Sequence, residues 1–400
     1  MARKRIIITG GGPAGLMAAD VLSVAHEVHL YEKEKNIGQK FLVAGKGGLN
    51  ITNNFRGSAL TGRYTPAGFM DEALSGFSPE DLRGWLSGMG ISTFTGSSDK
   101  VFTDKDLPAI DILNKIREKL LSQGVQFHTE HTFTGFDENN AITFRHQDQS
   151  ICVKADYLVF ALGGASWSVT GSDGTWRAVF ESMGVSTRPF QSSNCGINIS
   201  WPEGIRKSHA GKPLKNIRLF TADRETKGEA IITEYGLEGT AVYALVPVLR
   251  DMLQARIPAT LSLDLKPFNT VEQLLRKASA SRITSKEYAS FFHLNTAGLA
   301  VIKAFTDKDT YLAPEGFIRS MKGLQIPVDS LRPVEEAIST IGGICTGEVD
   351  RCFSLKRYPW IYVTGEMVDW DAPTGGFLLQ GCFSMGHLAA RSILEQARDL

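Results

Sequence analysis

The sequence predicts an α/β fold in which a discontinuous, Rossmann-like nucleotide domain is interrupted by a β-rich insert. Three observations predict it. Near the start, the apolar run Arg5-Ile6-Ile7-Ile8-Thr9 leads into Gly10-Gly11-Gly12-Pro13-Ala14-Gly15, which reads as strand, glycine turn and helix start. Near the end, Tyr362-Val363-Thr364-Gly365-Glu366 and Thr374-Gly375-Gly376-Phe377-Leu378-Leu379-Gln380 repeat that order. Between them, from about residue 190, the pattern changes to short β-branched runs at 217–221, 229–233 and 259–265. One nucleotide site assembled from both ends suits a long cofactor such as FAD better than NAD.

The elements follow in order. Residues 4–9 read as a buried strand, 14–24 as a helix with small residues toward the sheet, and 27–32 as the next strand, together a βαβ unit. A glycine-rich stretch covers 38–54. Residues 78–89, opening on Ser-Pro-Glu-Asp, and 108–122, closing before Gly124, predict helices. Residues 125–156 are rich in β-branched and aromatic side chains and predict a small antiparallel meander. Residues 157–162 predict a buried strand ending in Gly163-Gly164. In the insert, 271–304 is mostly helical with a break at 281–284. A helix over about 385–397 ends the chain.

Gly10-x-Gly12-x-x-Gly15 has dinucleotide spacing. Gly10 permits the tight turn, Gly12 lets the backbone approach a pyrophosphate, and Gly15 lets the helix pack close to the strand. The helix N-terminus, opening at Pro13 and Ala14, offers free N–H groups and a positive dipole end to phosphates. Glu32, some twenty residues on, can accept hydrogen bonds from both ribose hydroxyls and disfavours a 2′-phosphate, which argues against NADP here. The stretch from Lys40 to Asn53 is not a P-loop, because Lys46 is followed by Gly47 and residue 40 is not glycine. It reads as a glycine loop beside a flat ligand, with amides from Gly45 to Gly48 and side chains of Asn50 and Thr52 available to it. Ala161-Leu162-Gly163-Gly164 brings a strand end to the cofactor, and Thr170-Gly171-Ser172-Asp173-Gly174 follows. Glu366 is placed for ribityl hydroxyls. The helix after Gly375-Gly376 would aim its dipole at the pyrimidine edge of a flavin and stabilise negative charge there. Asp369 and Asp371 fit either a ligand contact or a turn.

Other chemistries find little support. Lys+Arg and Asp+Glu are 43 each, so the chain lacks the basic excess of a general nucleic-acid binder. Cys152, Cys195, Cys345, Cys352 and Cys382 include no C-x-x-C pair, which predicts free thiols in a reducing cytoplasm and no metal site. No stretch reaches the ~20 apolar residues that span a bilayer, so a soluble, cytoplasmic protein is expected. There is no G-x-S-x-G elbow and no H-E-x-x-H. His387, on the final helix, reads as a packing or surface residue, and no catalytic acid or base can be named.

Taken with Glu32-Lys33 and Gln191-Ser192-Ser193-Asn194-Cys195-Gly196, these motifs resemble the BaiN/YhiN-like flavoproteins, often called the aminoacetone oxidase family of FAD-binding enzymes. The likeness runs through nearly the whole chain. Two loops depart from the family pattern: Gly47-Gly48-Leu49-Asn50 replaces Gly-Arg-Cys-Asn, and Gly375-Gly376-Phe377-Leu378-Leu379-Gln380 replaces Gly-Gly-Tyr-Asn-Leu-Gln. These mark a divergent subgroup whose substrate is expected to differ. The resemblance implies a discontinuous Rossmann-like FAD-binding domain (1–190 and 335–400), a β-barrel-like insert (191–334) with a helical subdomain at about 270–322, and non-covalent FAD. The expected cofactor-binding set is Gly10, Gly12, Pro13, Ala14 and Gly15; Glu32, Lys33 and Lys40; Gly45, Gly48, Asn50 and Thr52; Ala161, Gly163 and Gly164; Gly365 and Glu366; and Gly375, Gly376, Phe377 and Leu378.

The expected chemistry is hydride transfer to flavin N5 by an FAD-dependent oxidoreductase. The substrate, an unidentified small molecule, is expected to meet the flavin between the domains. Three activities stay open: an amine oxidase using oxygen, an NAD(P)H-dependent reductase without a second nicotinamide domain, and an RNA-linked or binding flavoprotein.

Overall fold

Strand β1 (Arg5–Thr9) lies at the centre of a six-stranded sheet because both of its faces are apolar. Ile6 and Ile8 enter one core and Ile7 the other, all with no exposure, as expected of a strand covered by helices on both sides. The computed structural model describes residues 3–44, 48–281 and 283–399. The chain divides into two units, Met1–Gln191 with Ser339–Leu400, and Ser192–Ile338.

In the first unit, β1 is followed by α1 (Pro13–Leu22), β2 (Glu27–Tyr31) and the short α2 (Gln39–Ala44). The sheet is completed by β3 (Gln126–His128), β4 (Tyr157–Phe160), β5 (Ser354–Leu355) and β6 (Tyr358–Val363), in the order β5-β6-β4-β1-β2-β3. All pairs are parallel except β5 with β6. The sequence-based meander at 125–156 is therefore too long. Its first residues form β3, in parallel register with β2 (His29 opposite Gln126, Tyr31 opposite His128), and only 131–153 forms the antiparallel three-stranded sheet. The turn at Gly124 (φ +86°) redirects the chain into the main sheet. The last helix, α3, is also longer than its expected 385–397: it runs from Phe377 to Asp399, directly after the two glycines.

Three backbone contacts fix α1. A Cβ on Gly10 would lie 2.2 Å from the Ala161 oxygen, one on Gly15 would lie 2.0 Å from the Gly10 oxygen, and one on Gly386 of α3 would lie 2.2 Å from the Ala14 oxygen. The sequence thus places glycine where strand, helix and helix approach closer than side chains allow.

The second unit carries a seven-stranded sheet ordered Leu324–Pro327, Thr260–Asp264, Pro213–Thr221, Arg224–Ile232, Gly236–Glu238, Ile197–Asn198 and Ser330–Leu331. Its two edge strands are consecutive in the chain, joined only by Val328 and Asp329, so the sheet curls until its edges nearly meet. Helices from Val271 to Gly323 pack on it around Tyr288, Phe292 and Phe317.

Gly386→Val is expected to lower the urea midpoint of the first unit by the equivalent of about 1–3 kcal/mol, the usual range for overpacking. Gly84→Ala, in the helix Pro79–Ser87 with nothing within 4 Å of the new Cβ, is expected to stabilise by about 0.4–1 kcal/mol. Equilibrium unfolding of both variants checks this.

Candidate functional site

The C-terminal ends of β1, β2, β4 and β6 open into a cleft, all of it within the first unit. Strand ends of a parallel sheet are where open α/β folds bind ligands, because the chain turns away on both sides there. The first wall is the β1–α1 turn, with Gly10, Gly12, Pro13 and Ala14. Gly10 adopts φ +106°, and a Cβ on Gly12 would enter open space with no protein atom within 4 Å. Gly15 lies behind this wall, against the Gly10 oxygen.

Glu32, at the end of β2, faces the cleft. Its carboxylate accepts the Gly11 N–H at 2.8 Å and the Glu34 N–H at 2.9 Å, which fixes its orientation. Burial pushes its carboxyl above the usual glutamate range, and the two N–H donors pull it part of the way back. Lys33 pairs with Asp173 at 2.6 Å on the facing loop. Lys40, from α2, donates to Ser166 Oγ at 2.7 Å and to Glu366 Oε2 at 2.8 Å, joining segments from both ends of the chain. Glu366 and Gly365 follow β6, and Ala161 and Gly163 follow β4; all four line the cleft. Cys382 of α3 also lines it. Burial, and then the Glu366 carboxyl, push its thiol above the ordinary range.

The other expected residues lie elsewhere. Gly164 packs on Thr340, whose Oγ1 would be 2.1 Å from a Cβ there. Thr52 is fully buried and donates to Gln380 Oε1 at 2.6 Å. Asn50 donates to the Thr52 and Val101 carbonyls, and Gly376 lies against the Thr52 backbone, 2.4 Å from a Cβ position to the oxygen. Phe377 is buried, its carbonyl accepting from the Tyr64 hydroxyl at 2.8 Å. These residues, with Gly48, Gly375 and Leu378, are outside the cleft lining. Gly45 lies outside the described residues. Asp369 accepts the Gly342 N–H at 3.0 Å and Arg188 at 3.0 Å, tying three distant segments together, and Asp371 accepts the Ala372 N–H. His387 stacks on Phe77 at 4.8 Å, in packing.

Sequence reasoning missed Tyr31, His131, Thr132, Phe133 and Trp176, which also line the cleft. Nothing local marks them. Tyr31 stacks between His128 (4.3 Å) and Phe144 (4.1 Å), and His29 bonds His128 at 3.0 Å. Burial, then the charges of His29 and His131, hold His128 down at about 4.

FAD fits this chain. Gly12 leaves a cradle that any side chain would fill. The buried hydroxyls of Thr9 and Ser172, both on the cleft, have no protein partner. The Glu32 carboxylate is held on the cleft wall by two backbone N–H groups, where it can accept hydrogen bonds from the hydroxyls of a nucleotide. Among the described residues no group of three or more His, Cys, Asp or Glu could hold a metal ion, and no helix is long and apolar enough to cross a membrane.

A Rossmann cleft gripped by both ends of the chain, with a fixed acid after β2, defines an FAD-dependent oxidoreductase. Comparison with known proteins then gives the family. The profile of the HI0933-like protein Rossmann domain matches residues 4–392, and the chain belongs to that family. It is 24% identical to a 3-dehydro-bile acid Δ(4,6)-reductase of Clostridium scindens, over 98% of this chain and 100% of the relative. It is 22% identical to a ribosomal RNA dihydrouridine synthase of Escherichia coli, over 98% and 99%. Among solved structures, the 3-ketosteroid Δ1-dehydrogenase of Sterolibacterium denitrificans, in complex with 1,4-androstadiene-3,17-dione, superposes with a TM-score of 0.53 at 13% identity, over 99% of this chain and 100% of that one, which shows a shared fold.

Two predictions follow from the geometry. Gly12→Val is expected to keep its fold, since the new side chain meets no protein atom near its Cβ, but to be purified without FAD; Glu32→Ala is expected to bind FAD about ten- to a hundredfold more weakly, as loss of charge-assisted bonds implies. Released-flavin absorbance and circular dichroism check both. The depressed His128 means that the folded state binds fewer protons than the unfolded one between pH 6.5 and about 4, so stability falls as pH falls through that window. His128→Asn is expected to flatten this slope in urea titrations run across the window.

Proposed function

We propose that this protein reduces a carbon–carbon double bond conjugated to a carbonyl group. The observation that carries the reading is the pair of full-length relatives. One name states reduction of ring double bonds in a 3-keto bile acid, and the other the saturation of uracil in RNA. Their substrates differ, but the bond reduced is of one kind. Bound FAD supplies the hydride chemistry at N5.

The chain's own residues hold and orient the cofactor in this reading. Glu32 takes the ribose of the adenosine half. The first turn of α1 faces the pyrophosphate with its free N–H groups. The Lys40–Glu366 pair, anchored on Ser166, holds the Glu366 carboxylate in place for the ribityl chain. Gly48, Asn50, Thr52 and Gly375 to Leu378 act in this reading as the packed frame behind the ring end. The substrate is a small molecule, in keeping with the neutral net charge, NAD(P)H is the electron donor, and the compartment is the cytoplasm, where the five free thiols stay reduced.

The test is anaerobic. Protein reduced with NADPH or by light is expected to be reoxidised by 4-androstene-3,17-dione or cyclohexenone at least tenfold faster than by buffer alone. Bleaching of the oxidised flavin by aminoacetone, with no response to either enone, would establish the amine-oxidase alternative instead.

A further inference from the structure

Between β4 and the helix Arg177–Ser182 the chain leaves the sheet and comes back to where it left. The Trp176 indole N–H donates to the Gly163 oxygen at 3.0 Å, so residues 164–175 form a loop closed at its base, of the Ω type. The loop runs sideways across the sheet. It starts at β4, yet Ser166 accepts from Lys40 of α2 at 2.7 Å, and Asp173 pairs with Lys33, just beyond β2, at 2.6 Å. A Cβ on Gly171 would lie 3.1 Å from Glu34 Cγ and 3.2 Å from Lys33 Cε. In the sheet order β1 stands between β4 and β2. The loop therefore bridges the end of β1, where the glycine turn forms the first wall of the cleft.

The two sides of the loop differ. Thr170, Gly171, Ser172 and Asp173 line the cleft. Ser172 is 6% exposed, and its hydroxyl has no partner among the described residues. A buried hydroxyl in that state points to a ligand that completes it. The outer side is bare: Val169 is 84% exposed, and Trp167 is 37% exposed with a left-handed backbone, φ +58°. Positive φ at so bulky a side chain is strain of the kind that clusters in clamps and switch segments.

We propose that residues 164–175 are a strap that closes over bound FAD, with Ser172 Oγ bonding an oxygen of the cofactor's sugar–phosphate middle and the Lys33–Asp173 pair as its latch. FAD passes the strap to reach the glycine turn, so opening of the strap sets the rates of both entry and exit. The latch suits that task. Its side chains keep 23% and 33% exposure, so water screens the pair and it holds the strap without locking it. Lys33 acts here by closing the strap, and Ser172 by touching the cofactor.

Uptake of labelled FAD by protein stripped of cofactor, and its loss from loaded protein chased with unlabelled FAD, test the strap. Asp173→Asn and Lys33→Met are each expected to speed uptake and loss alike, by about two- to fivefold, and so to leave the dissociation constant nearly unchanged. The double variant is expected to match either single one, because the two side chains make one contact. Ser172→Ala is expected to speed loss alone, by about tenfold. Chymotryptic cleavage after Trp167 is expected to be about tenfold slower in loaded than in stripped protein, since cleavage follows opening of the segment. None of these readouts depends on which substrate is reduced, so failure of the enone test would leave them standing. Latch variants that weaken affinity additively, with uptake unchanged, would make Lys33 an ordinary cofactor contact and overturn the latch. Parental release from Ser172→Ala, or cleavage after Trp167 that ignores FAD, would overturn the strap.

Discussion

The first turn of α1 depends on backbone meeting backbone. It is pressed by β4 at Gly10, by its own strand at Gly15 and by α3 at Gly386, each with about 2 Å between a would-be Cβ and a carbonyl oxygen. No side chain but hydrogen fits any of the three. Because these contacts tie residues near both termini to one another, the helix end stands at a fixed height above the sheet. The open space beside Gly12 exists only because that height is fixed. The helix can then present its unpaired N–H groups at one place, which is what a bound pyrophosphate needs.

Electrostatics are set on the same frame. Glu32 is buried enough to resist ionisation, yet two backbone N–H groups hold its oxygens. On the opposite side, Glu366 shares Lys40 with Ser166. One acid is oriented by backbone amides and the other by a lysine side chain, so the two carboxyl groups are positioned by different partners. That distinction matches a cofactor whose two halves both carry hydroxyls but differ in their neighbours.

Much of this was legible in the sequence because it is local. The spacing of Gly10, Gly12 and Gly15 and the distance to Glu32 are properties of a single βαβ unit, whose strand, turn and helix the structure has in that order. The roles of Asn50, Thr52 and Gly376 were not legible. Their polar and glycine character looked available to a ligand, but it is spent on one another and on Gln380, across 328 positions of chain. Nor does any pattern reveal that Tyr31, His131 and Phe133 reach the cleft. They come from β2 and from the antiparallel sheet that follows β3, and only the tertiary register unites them. The partners of Asp369, Gly342 and Arg188, lie 27 and 181 positions away and were likewise beyond the reach of local pattern.

The strands that carry the chain out of the first unit and back into it, Thr187–Ser193 and Ser339–Ile344, form a two-stranded sheet of their own. Departure and return are thus side by side. A long excursion whose ends already touch adds little closure entropy to the domain it interrupts, since that cost grows only slowly with loop length. The excursion can therefore change in length at small entropic cost while the nucleotide-binding frame keeps its register.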